Sequence, residues 1–207
     1  MKHPSLTIVF LTAAIASAAA CTQESGRSAG KLERAQSVKS STAERSPESF
    51  CDRYNPASIA LPLSFPLMNN LASGKKERIS AQGRWVWINI WATFCLPCLR
   101  EMDALMTWRD QLSAGGTPID LIFVSVDEGV DEVRQYMAKN RRIAAMPSYH
   151  AVDNSALEAA IKPLGLGSLD SIPIHILVSP DGKVRCVRAG ALNSDDYPVV
   201  KKLLQAQ

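Results

Sequence analysis

The run Trp85-Val86-Trp87-Ile88-Asn89-Ile90-Trp91-Ala92-Thr93-Phe94-Cys95-Leu96-Pro97-Cys98-Leu99-Arg100-Glu101-Met102 decides the fold. Its first seven residues are rich in aromatic and β-branched side chains and apolar on both faces. That predicts a central strand covered by helices on each side. Leu99, Met102, Leu105, Met106 and Leu112 then recur at helical spacing, and Gly115-Gly116 ends the helix. Two cysteines separated by two residues thus stand where a covered strand gives way to a helix.

Further along, Ile119 to Val126 reads as a second covered strand and Val130 to Asn140 as a second helix. Ser155 to Lys162 reads as a third, short helix. Ile174 to Ser179 and Val184 to Arg188 read as strands joined by Pro180-Asp181-Gly182-Lys183, a hairpin-type turn. Asp195 to Leu204 closes with a helix. A β-α-β-α crossover followed by a hairpin and a helix gives an α/β fold with a mixed central sheet flanked by helices.

The chain has 207 residues, 46% hydrophobic and 21% charged, which excludes a wholly disordered or fibrous protein. Its 23 Lys and Arg are scattered among 20 Asp and Glu, so it lacks the basic stripe of a nucleic-acid binder. There is no internal repeat. Five cysteines are too few for a disulfide-stapled miniature fold and too unevenly placed for a repeated zinc module.

The first twenty residues are expected to be a secretory signal. Lys2 supplies positive charge, Leu6 to Ala20 is apolar or small, and Ala18-Ala19-Ala20 leads into Cys21. Cys21 in that place resembles the acylated cysteine of a bacterial lipoprotein, although Ala18 stands where that signal usually carries Leu. The expectation is a lipid anchor at Cys21, with a free secreted protein as the alternative. Residues 21–49, dominated by Ser, Ala, Glu, Arg and Lys, cannot bury enough surface to offset their ordering entropy and read as a flexible tether. The folded domain is expected over residues 50–207.

A helix N-terminus carries unpaired N–H groups and a partial positive charge, both of which favour a thiolate. Only the thiolate attacks a disulfide. The placement therefore assigns Cys95 as an exposed attacking nucleophile and Cys98 as the more buried resolving thiol. Half a zinc site would need a second close Cys or His pair, which the chain lacks. His150 and His175 have no metal spacing and read as polar strand residues. Glu101 shares a helix face with Cys98 and is expected to be partly buried, with a raised pKa suited to proton exchange with that thiol. Cys51 and Cys186 remain, and in an oxidising compartment they are expected to form a structural disulfide; both buried and reduced is the alternative.

The run from Trp91 to Met102 resembles the active-site segment of the TlpA/ResA-like thiol-disulfide oxidoreductases of the thioredoxin superfamily. Gly83-Arg84-Trp85, Ile172-Pro173-Ile174 and Pro180-Asp181-Gly182-Lys183 match in order and spacing. Phe94 replaces the usual Trp but keeps an aromatic ring beside the nucleophile. Asn89 stands where thioredoxin has a buried Asp, which shifts proton handling to Glu101. The resemblance implies a cis Ile172–Pro173 peptide facing the cysteines. It also implies partner contacts by Trp91, Phe94, Pro97 and Ile172.

It further implies a reductant of cysteine-containing proteins outside the cytoplasm, apocytochrome c among them, recycled by a membrane electron donor. No organic cofactor or metal is implied. The alternatives are a copper-binding metallochaperone of the same fold and a thiol peroxidase.

Overall fold

The computed structural model describes residues 45–205. The expected signal, Cys21 and most of the tether lie outside them. Residues 45–49, read from the sequence as tether, belong instead to the folded domain. Helix α1 (Pro47–Phe50) is capped by Ser46, whose hydroxyl accepts the Ser49 N–H, and Arg45 pairs with Asp196 at 2.5 Å. The reason is Phe50, which is buried and lies under the Arg188 guanidinium, 4.8 Å from the ring centroid. Arg188 also donates to the Phe50 carbonyl at 2.7 Å.

Among the described residues, eight strands form one mixed sheet. In chain order they are β1 (Arg53–Tyr54), β2 (Met68–Asn70), β3 (Lys76–Glu77), β4 (Trp85–Trp91), β5 (Ile119–Ser125), β6 (Ser148–His150), β7 (Ile174–Val178) and β8 (Val184–Ala189). Across the sheet they run β1-β8-β7-β4-β5-β6-β2-β3. Strand β4 is central and buried along its whole length, as its two apolar faces require. It pairs in parallel with β5 and antiparallel with β7, setting Asn89 opposite Phe123 and His175. The β7–β8 hairpin turns at Gly182, whose φ of 81° suits glycine.

The remaining helices are α2 (Leu96–Ala114), α3 (Val130–Lys139), α4 (Arg141–Ala144), α5 (Asn154–Ile161) and α6 (Tyr197–Gln205). Alternation along β4 puts Trp87, Asn89 and Trp91 on one face. Trp108 of α2 packs 6.1 Å from Trp87 and Tyr136 of α3 packs 5.4 Å from Trp91. Tyr197 of α6 packs tilted against Trp108, with ring centroids 5.5 Å apart. These aromatic contacts seat α2, α3 and α6 over that face.

Cys51 is joined to Cys186 of β8 by a disulfide closing 135 positions of sequence. Among the described residues, no helix is long and apolar enough to cross a membrane.

Candidate active site

Strand β4 ends at Trp91, and a tight turn closed by the Cys95 N–H on the Ala92 carbonyl (3.1 Å) delivers Cys95 as the N-cap of α2. Its Sγ accepts the Cys98 N–H at 3.3 Å, doing with sulfur what a capping Ser or Asp does with oxygen. Pro97 fits the first turn because no backbone N–H is required there. Cys95 and Cys98 form a disulfide with Cα atoms 5.3 Å apart. Cys98 has no exposed surface.

Cys95 is less open than the sequence suggested. It is only 7% exposed, because its sulfur turns in toward the Cys98 N–H and the Ile172 carbonyl, while Phe94 and Leu96 beside it are 72% and 65% exposed.

The turn is fastened to the sheet by Asp127, which the sequence reading did not single out. Its buried carboxylate accepts the Thr93 N–H (3.0 Å), the Thr93 hydroxyl (2.5 Å) and the Ser125 hydroxyl (2.6 Å). One acid thus ties the loop after β4 to the end of β5. The available signal was its position just past the carboxyl end of a parallel strand, where α/β sheets place their sites.

Beneath the cysteines lies a buried polar network. Glu101 is 4% exposed; its Oε1 accepts from Asn89 Nδ2 at 2.9 Å and its Oε2 accepts the Leu192 N–H at 2.8 Å. His175 Nε2 stands 3.2 Å from Oε1, too oblique for a well-formed hydrogen bond. Trp87 Nε1 donates to His175 Nδ1 at 3.3 Å. His175 lies in β7, the strand position read from the sequence, and also forms part of the site's underside. Its role was hidden in the sequence because it depends on register: Asn89 and His175 are cross-strand partners and so share a face. His150 is likewise buried, its Nε2 2.9 Å from the Asp127 carbonyl oxygen.

On the open side, Ile172–Pro173 is a cis peptide, and Cys95 Sγ lies 3.8 Å from the Ile172 carbonyl oxygen. The Pro173 carbonyl accepts the Gly190 N–H, whereas the Ile172 N–H has no protein partner among the described residues. Phe94 and Ile172 line a cleft of about 650 Å³ together with Thr93, Asp127, Glu128 and Leu169. Trp91, expected at the partner-facing surface, is 1% exposed and packed on Tyr136. It supports the site from within the core, because the odd-numbered face of β4 is roofed by α3.

No family model matches the chain. It is 25% identical over 118 residues to the thiol-disulfide oxidoreductase ResA of Bacillus cereus strain ZK / E33L, and 25% identical over 121 residues to ResA of Bacillus subtilis strain 168. Those alignments cover 57% and 58% of this chain and 62% of each relative.

The chain has a thioredoxin-like fold and is similar in sequence to ResA thiol-disulfide oxidoreductases.

Solved structures carry that thioredoxin-like fold. A secreted thiol-disulfide isomerase from Corynebacterium glutamicum superimposes with a TM-score of 0.58 at 21% identity, covering 78% of this chain and 96% of that one. A thioredoxin-family thiol:disulfide interchange protein from Chlorobium tepidum TLS gives 0.54 at 23% identity, covering 70% and 98%.

Proposed function

We propose that this domain is a thiol-disulfide oxidoreductase of the TlpA/ResA type that reduces disulfides in partner proteins outside the cytoplasm. The observation that carries the reading is Cys95 as N-cap of α2, its sulfur held by the Cys98 N–H and bonded to Cys98. The positive end of the helix stabilises negative charge on that sulfur. The Cys95 thiolate attacks a partner disulfide, one partner sulfur leaves, and a mixed disulfide remains. Cys98 gives its proton to Glu101 and attacks Cys95. The second partner sulfur leaves with the electron pair, so the partner gains two electrons and the cysteine pair is oxidised.

Phe94, Pro97 and Ile172 offer contacts to the partner, and the unpaired Ile172 N–H suits an extended segment laid beside Pro173. The names of the relatives support a cysteine-containing protein substrate. The secreted C. glutamicum neighbour supports the export signal read at residues 1–20, and acylation of Cys21 would then hold the domain at a membrane surface. Apocytochrome c fits the substrate class, and turnover needs an electron donor in the membrane. The copper-carrier reading needs a histidine beside two thiolates, and no such three-ligand group occurs among the described residues.

The test is trapping. Cys98→Ser should accumulate partners covalently held through Cys95, and Cys95→Ser should not. Equal trapping by both variants would reverse or remove the assigned roles.

A further inference from the structure

We propose that His175 is a positioning residue for proton transfer at Cys98, acting through Glu101. The inference rests on the disulfide exchange above and adds the group that orients its base. His175 is 2% exposed, inside a sheet, where an imidazole is retained at a cost unless its nitrogens are used. The indole Nε1–H of Trp87 can only donate, and it points at Nδ1 from 3.3 Å. The Asn89 amide nitrogen, also a donor, is 3.4 Å from the same atom. Two donors facing Nδ1 make it the acceptor, so the hydrogen of the neutral ring sits on Nε2. That nitrogen is the one 3.2 Å from Glu101 Oε1. A proton placed on Nδ1 would face the Trp87 N–H head-on, so the ring is held in one tautomer with its N–H toward the carboxylate.

Glu101 is hydrogen-bonded at both oxygens, by Asn89 at Oε1 and the Leu192 N–H at Oε2, and the His175 Nε2 edge lies against Oε1 at 3.2 Å as an off-axis electrostatic contact. It also lines a cleft of roughly 240 Å³ with Pro97, Arg100, Trp108 and Asn193, which leads from the buried carboxylate toward solvent. Other charged and titratable groups near the pair are engaged elsewhere or lie at the rim. Arg188, in register with His175 on β8, donates to the Phe50 carbonyl. Asp196, just before α6, pairs with Arg45, and the Tyr197 ring packs tilted against Trp108. Arg100 is exposed at the mouth of the cleft. Cys98, one turn before Glu101 on α2, is the proton source this arrangement leaves.

In the resolving step the Cys98 proton passes to the Glu101 carboxylate and the freed sulfur pair bonds Cys95 Sγ. The bond from Cys95 to the partner breaks, and the departing partner sulfur takes a proton from water. The proton on Glu101 then leaves through the cleft.

The experiment uses reduced protein and dithionitrobenzoate. The first thionitrobenzoate released reports attack by Cys95; the second reports displacement by Cys98. With His175→Gln, the first phase should stay within about twofold of wild type while the second slows about tenfold at pH 7 and its pH–rate profile shifts. The double variant with Glu101→Gln should be no slower than Glu101→Gln alone, since both act through one group.

An unchanged second phase, an equal loss in both phases, or slowing that multiplies in the double variant would overturn the proposal. Should His175→Gln fail to fold, Trp87→Phe removes only the N–H that fixes the tautomer. It should slow the second phase selectively by about threefold; no selective slowing there also overturns the proposal. Absence of a first phase in wild-type protein would instead defeat the disulfide-exchange reading itself.

Discussion

Replacing Cys51 and Cys186 together by alanine opens a crosslink spanning 135 positions. In the chain-entropy treatment, a loop of that length restricts the unfolded chain by about 5 kcal/mol at 25 °C. Removing a sulfur from Cys186, buried in β8, adds a small cavity cost of about 1 kcal/mol. Residual compactness of the unfolded chain subtracts from the entropy term, so a net loss of about 3–5 kcal/mol is expected. For a domain of this size that lowers Tm by about 10 °C.

Urea unfolding followed by tryptophan fluorescence reads it well, because all four Trp side chains are buried. The denaturant slope should rise as well, since the uncrosslinked chain exposes more surface when unfolded. The Cys95–Cys98 reaction should be unchanged. A stability loss below about 1 kcal/mol with an unchanged slope would refute the idea that this bond works by confining the unfolded chain.

Asp127→Asn places an amide NH2 where three donors now converge, so a loss of about 2–3 kcal/mol is expected with a slower first thionitrobenzoate phase; calorimetry and stopped-flow absorbance check both. Glu101→Gln removes the base beneath Cys98 and should slow the second phase at least about a hundredfold, leaving the first nearly intact. Phe94→Ser changes a side chain exposed at 72%, so stability should move by less than about 0.5 kcal/mol while KM for a protein disulfide rises.

The Ser179 hydroxyl donates to Asp181 in the β7–β8 turn and holds its carboxyl below the usual value, helped by Lys183. A depressed carboxyl stabilises the fold above the ordinary carboxylate range, and the benefit is lost as pH falls through the folded value. Ser179→Ala should raise the Asp181 midpoint in an NMR titration; no change would refute the hydrogen bond's role.

What the sequence made legible was local. Strand β4, the cysteine corner, β5 and the β7–β8 hairpin each carry their signal within a few adjacent residues: apolar runs, a turn, a helix start. Strands β1, β2, β3 and β6 have two or three residues each and exist because a neighbour supplies hydrogen bonds, a cue that no short window contains. The same holds in the site. Cys95 and Cys98 are set by spacing, whereas Asp127 meets Thr93 across 34 positions and His175 meets Trp87 across 88. Trp91 shows the converse error: its adjacency in sequence to the cysteines does not set its direction, which alternation along β4 turns into the core.

Asp127 grips Thr93, two residues before the nucleophile, and does so from the sheet and not from α2. The upstream side of Cys95 is therefore moored to a rigid platform, while its downstream side is the cap of a helix. Recoil on making or breaking the sulfur–sulfur bond is expected on the helix side of that boundary, because Asp127 binds Thr93 and Ser125 and neither sulfur.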